Sequence, residues 1–105
     1  MKKITVAEVK FNNAGLVDVI VQDRASMVVL VKSVMSQAAL SETLKTGLVT
    51  LYSPIRGCLW RVGENSGHRP AIISILANWS GKCLLLMVDA KVEALKEAGF
   101  DRVIL

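Results

Sequence analysis

Apolar residues in this chain occur in short β-branched and aliphatic runs, each cut off by polar turn formers, and this pattern restricts the fold more than any other feature. Residues 16–21 and 27–31 are two such runs, separated by Gln22-Asp23-Arg24-Ala25-Ser26. Residues 71–77 and 83–88 are two more, separated by Asn78-Trp79-Ser80-Gly81-Lys82. Runs of strand length with turn residues between them predict two hairpins of buried strands. Between the hairpins the period changes. Ser36 can cap a helix through its side-chain oxygen, Leu40 and Leu44 lie one turn apart, and Gly47 supplies a stop, so a short helix is predicted over Gln37–Thr46. Residues 48–52 return as a strand, and residues 53–70, dense in Gly, Pro, Ser, Asn and charge, read as a long loop. Residues 91–98 read as a second helix ending at Gly99, and residues 102–105 as a last short strand. The expected fold class is α+β, mostly antiparallel strands with two short helices, in a single domain over residues 1–105.

Composition bounds the partners. Hydrophobic residues make up 52% of the chain and mean hydropathy is +0.46, more apolar surface than so small a core can hide, which predicts self-association. No apolar run approaches the roughly 18 to 20 residues that cross a bilayer, so no membrane partner is expected. The first ten residues interleave lysines with an acid and do not read as an export signal, so a cytoplasmic protein is expected. A disulfide between Cys58 and Cys83 stays open at this level; without a partner motif the two read as reduced packing thiols. The net charge is +4, but the basic residues are scattered apart from Arg56, Arg61 and Arg69, and two Trp, two Phe and one Tyr are too few for a stacking platform. Nucleic acid is therefore not an expected partner.

The informative stretch is residues 52–68, Tyr-Ser-Pro-Ile-Arg-Gly-Cys-Leu-Trp-Arg-Val-Gly-Glu-Asn-Ser-Gly-His. Arginines, serine hydroxyls, a histidine and closely spaced glycines can surround a phosphate, because glycine lets backbone N–H groups approach and arginine pairs with oxyanions bidentately. The candidate ligand-binding residues are Ser53, Arg56, Gly57, Trp60, Arg61, Gly63, Glu64, Ser66, Gly67 and His68. Glu64 is a candidate for a ribose hydroxyl or for pairing with an arginine. Trp60 is read either as a stacking face for a base or as core.

This stretch resembles the hallmark of the phosphoribosyl-AMP cyclohydrolases of histidine biosynthesis, and the likeness extends upstream through Gly15-Leu16-Val17, Val21-Gln22-Asp23 and residues 38–47. The resemblance implies that family's fold, an intertwined homodimer with each site built between subunits, and a nucleotide ligand. It also implies a departure. Where active members of that family carry Asp-Cys-Asp-x-Asp for magnesium and zinc, this chain has Asn78-Trp79-Ser80-Gly81-Lys82, and residues 91–105 hold no cysteine or histidine to match the family's later zinc ligands. An amide, a hydroxyl and an ammonium do not replace three carboxylates around magnesium.

On these grounds no metal, cofactor or catalytic residue is assigned. The expected function is that of a non-catalytic nucleotide-binding pseudoenzyme that holds, and sequesters, phosphoribosyl-AMP or a cyclic ADP-ribose-type signal. The alternative is a phosphoribosyl-AMP cyclohydrolase-like hydrolase of altered, metal-independent chemistry using His68 and Glu64. A third reading is an interaction or structural subunit whose loop only retains ancestral residues.

Overall fold

A computed structural model describes residues 6–63, 69–90 and 104. After a 3-10 turn at Val6–Glu8 the chain forms β1 (Leu16–Asp23), β2 (Val29–Ser36), α1 (Gln37–Thr46), β3 (Thr50–Ser53), β4 (Cys58–Arg61), β5 (Ala71–Ala77) and β6 (Cys83–Asp89). The strands make one six-stranded mixed sheet in the order β4-β3-β2-β1-β6-β5. Both expected hairpins form, β1 with β2 and β5 with β6. They join through a parallel pairing of β1 with β6, which brings Val19 beside Leu84 and Val21 beside Leu86. The architecture is α+β.

Alternation explains the core. Val17, Val19 and Val21 of β1 point to the same face as Leu84, Leu86 and Val88 of β6, and all six are buried, with Met35 of β2 beside Val17. Successive strand side chains point to opposite faces, so Ile20, Val34, Leu76, Leu85 and Met87 fall on the other face, where they are only half-buried around the exposed Lys32.

Helix α1 has the expected bounds and the expected caps. The Ser36 hydroxyl accepts from the Ala39 N–H at 3.1 Å, and Gly47, at φ 74°, donates its N–H to the Thr43 carbonyl. The helix buries Ala39, Leu40 and Thr43. Thr43 Oγ1 both donates to the Thr50 carbonyl at 3.1 Å and accepts from the Thr50 N–H at 3.0 Å, which ties α1 to the start of β3. A buried carboxylate serves the opposite end of the sheet. Asp23 accepts from the Ser26 hydroxyl and N–H and from the Ala90 N–H, at 2.6, 2.8 and 3.0 Å. These bonds, the Ser26 hydroxyl first, hold its carboxyl below the usual carboxylate range although burial opposes them. The same side chain thereby shapes the β1–β2 turn and fastens the end of β6.

Two expectations need correction. Strand β2 runs over Val29–Ser36 rather than residues 27–31: Met27 is spent on the turn at φ 66°, while Lys32 and Ser33, polar but on a ladder, continue the strand. Residues 53–70 are not one loop, because Cys58–Arg61 folds back on β3 as β4. One α-helix is present among the described residues. The second helix expected over residues 91–98 lies outside them, as does the last strand over residues 102–105 apart from Ile104, which is exposed and in no regular element.

Candidate functional site

The β3–β4 hairpin carries the first half of the candidate site. Its register pairs Ser53 with Cys58, Tyr52 with Leu59, Leu51 with Trp60 and Thr50 with Arg61. The turn is closed twice from Ser53: its carbonyl accepts the Gly57 N–H at 2.7 Å and its hydroxyl accepts the Arg56 N–H at 3.2 Å. Gly57 sits at φ 65°, a left-handed conformation that glycine adopts at no steric cost. The result is an exposed Arg56 at the tip of a well-defined turn, with no ion-pair partner among the described residues.

Trp60 lies against the core. It is half-buried and its β3 neighbour is the fully buried Leu51, so packing is its described role. Arg61 is engaged differently: its guanidinium donates to the Glu42 carboxylate of α1 at 3.2 Å, with both side chains a little over a third exposed. Glu42, 19 residues away in sequence, carried no signal that could have marked it, because only the packing of α1 beside the hairpin brings the two together. Gly63 follows in a turn at φ 80°. Glu64, Ser66, Gly67 and His68 lie outside the described residues; Arg69 beyond them is exposed. The structure therefore brings Ser53, Arg56, Gly57, Trp60 and Arg61 onto one hairpin.

The β5–β6 turn does not offer a seat for magnesium. Asn78 Oδ1 is its organising atom, accepting from the Lys82 N–H at 3.0 Å, the Cys83 N–H at 3.2 Å and the Ser80 hydroxyl at 3.2 Å. Both side-chain oxygens of the turn are thus spent on one another or on closing the backbone. Trp79 is fully exposed, and Lys82 adds a positive charge. Magnesium needs several hard oxygens held free and mostly anionic, so these residues do not fit it. Among the described residues, no three His, Cys, Asp or Glu side chains converge as a metal site would require. Cys58 and Cys83 are free thiols, and Cys58 is exposed on β4 rather than packed as expected.

An α+β domain built on one mixed sheet, with an arginine-tipped hairpin at its edge, is the class these features define. The chain belongs to the phosphoribosyl-AMP cyclohydrolase family: the model of the family described as phosphoribosyl-AMP cyclohydrolase matches residues 31–97. The phosphoribosyl-AMP cyclohydrolase of Micrococcus luteus is 43% identical over 84 residues, covering 80% of this chain and 67% of that protein. Phosphoribosyl-AMP cyclohydrolase 2 of Pseudomonas fluorescens is 42% identical over 79 residues, 75% of this chain and 54% of its own length. The Mycobacterium avium phosphoribosyl-AMP cyclohydrolase is 43% identical over 83 residues, 79% of this chain and 72% of that protein. The chain thus spans about half to seven tenths of the length of these curated relatives.

These matches overturn the expected non-catalytic pseudoenzyme and, with it, the cyclic ADP-ribose-type signal. Relatives about 40% identical over most of the chain carry the name of a hydrolase, and none of the three is named for sequestration or signalling. The expectation weighed the Asn78–Lys82 turn and the lack of cysteine or histidine in residues 91–105 above the likeness of the rest of the chain.

Proposed function

We propose that this chain acts as a phosphoribosyl-AMP cyclohydrolase-type hydrolase, adding water across a carbon–nitrogen bond of the purine ring of phosphoribosyl-AMP. The observation that carries the reading is the identity of 43% over four fifths of the chain with a relative of that name. Within the hairpin, Arg56 is the side chain available to a phosphate: it is exposed, held at a closed turn and in no ion pair among the described residues. Arg61, paired with Glu42, holds the hairpin beside α1. Water activation does not fall to the β5–β6 turn, whose oxygens are committed. His68 and Glu64 are the base candidates that the sequence supplies beyond β4.

The ligand is a nucleotide and the assembly a homodimer in this reading. Support for the dimer is the half-buried apolar face of the sheet, where Ile20, Val34, Leu76, Leu85 and Met87 gather. Among the described residues no helix is long and apolar enough to cross a membrane. The test is direct. Incubation of the purified chain with phosphoribosyl-AMP should give a product heavier by one water, read by mass spectrometry. Recovery of unchanged substrate at enzyme-equivalent concentration, with the protein folded, overturns the proposal.

A further inference from the structure

The strongest unassigned feature is a cavity of about 340 Å³ between the N-terminal segment, the start of β1 and the β5–β6 turn. Lys10, Phe11, Asn12, Asn13, Leu16, Asp18 and Lys82 line it. Its rim is built by backbone. The Lys10 N–H donates to the Gly81 carbonyl at 2.8 Å, and the Lys10 side chain passes so close over Gly81 that a Cβ there would lie 3.3 Å from Lys10 Cγ. Asn12 shapes the wall, since its Oδ1 accepts the N–H groups of Ala14 and Leu16 at 2.9 and 3.0 Å. Two ammonium groups remain. Lys10 and Lys82 are both exposed and neither is in an ion pair among the described residues. Asp18, also exposed, is the single acid in the lining, which leaves a net charge of +1.

We infer that this cavity binds the phosphate of a sugar phosphate, with Lys10 and Lys82 on the phosphate oxygens and Asp18 accepting from a sugar hydroxyl. The three charges dictate the class. A phosphate monoester carries about −1.5 to −2 at neutral pH and needs donors on several oxygens, which two ammonium groups with three N–H bonds each supply. A carboxylate beside them is unfavourable for a bare dianion but is a good acceptor for a neighbouring hydroxyl. Phe11 and Leu16 give the cavity an apolar wall for the carbon skeleton of the sugar. The same turn that offers no seat to a divalent cation thus presents a fixed positive charge to an anion. The choice of sugar rests on the hydrolase reading, because phosphoribosyl-AMP carries such a group; the phosphate chemistry rests on the cavity alone.

Titration calorimetry at low salt with ribose 5-phosphate, inorganic phosphate and ribose tests it. Ribose 5-phosphate should bind more tightly than inorganic phosphate, and ribose should not bind detectably. Lys10→Ala and Lys82→Ala should each weaken ribose 5-phosphate binding about tenfold, the effect of losing one hydrogen bond to a charged group. Both variants keep the backbone N–H groups that hold the rim, so their melting temperatures should stay close to the parent's. Asp18→Asn should tighten inorganic phosphate while weakening the sugar phosphate. Unchanged ribose 5-phosphate affinity in both lysine variants overturns the inference, as does equal binding of ribose. A chain that binds ribose 5-phosphate through both lysines yet leaves phosphoribosyl-AMP intact sinks the hydrolase reading and keeps this site. One that turns over phosphoribosyl-AMP with binding and KM indifferent to both lysines keeps the hydrolase and sinks the site.

Discussion

The β3–β4 and β5–β6 turns use the same local device: a polar side chain at the first position accepts backbone N–H groups further along. Their surroundings differ. In the first, Ser53 closes the turn, residues 54–57 are exposed, and nothing lies within 4 Å of where a Cβ on Gly57 would be. In the second, Asn78 closes the turn and Gly81 is buried beneath the N-terminal segment, with the Glu8 carbonyl 2.8 Å from an added Cβ. The turn that keeps the family motif is thus determined locally and presents its residues to solvent. The turn that departs from the family pattern is pinned by distant chain, and it forms one wall of the lysine-lined cavity.

That contrast predicts unequal responses to equal chemistry. Gly81→Ala should cost about 2 to 3 kcal/mol, because it adds the strain of a left-handed alanine to a contact with backbone that cannot yield cheaply. Gly57→Ala carries the same left-handed strain with open space around it and should cost about 1 kcal/mol. Urea unfolding of the two variants compares them, and equal losses would break the distinction between a pinned and a free turn.

Asn78→Ala should cost about 1 to 2 kcal/mol, since it removes at once the acceptor of two backbone N–H groups and a hydroxyl. Ser53→Ala removes one acceptor from an exposed turn whose N–H can turn to water, and should cost about 0.5 kcal/mol or less. A larger loss for Ser53→Ala than for Asn78→Ala in the same unfolding assay would reverse the comparison. The smallest effect belongs to Arg61. Its partly exposed pair with Glu42 should contribute about 0.5 kcal/mol or less, read as the coupling in a double-mutant cycle of Arg61→Ala and Glu42→Ala. A coupling well above 1 kcal/mol would show that α1, rather than the turn, sets the stability of the first hairpin.

Much of this was legible from residue order. The hairpins, the bounds of α1 and its caps at Ser36 and Gly47 follow from run length and local hydrogen bonding, which need no distant partner. Strand β4 was hidden because Arg56-Gly57 and the polar residues around it read as loop, whereas the ladder to β3 is what makes Cys58–Arg61 a strand. In the candidate site, the motif identified Arg56 and Arg61 equally. Only the fold separates them, leaving Arg56 at an exposed tip and pairing Arg61 with a helix residue. Lys10 carries no local signal, since a lysine there is ordinary until a turn about 70 residues later lies beside it.

The sequence by itself determined the two hairpins, α1 with its caps, the family and the absence of carboxylates from the β5–β6 turn, because each is a matter of residue type and short spacing. Tertiary structure alone decided the parallel junction of β1 with β6, the fastening of Asp23 to Ala90, the different surroundings of the two arginines and the meeting of Lys10 with Lys82. Each of these joins residues that local spacing does not relate. Burying the valines of β1 against the leucines of β6 draws the two hairpins together, and the polar contacts form where that packing leaves them.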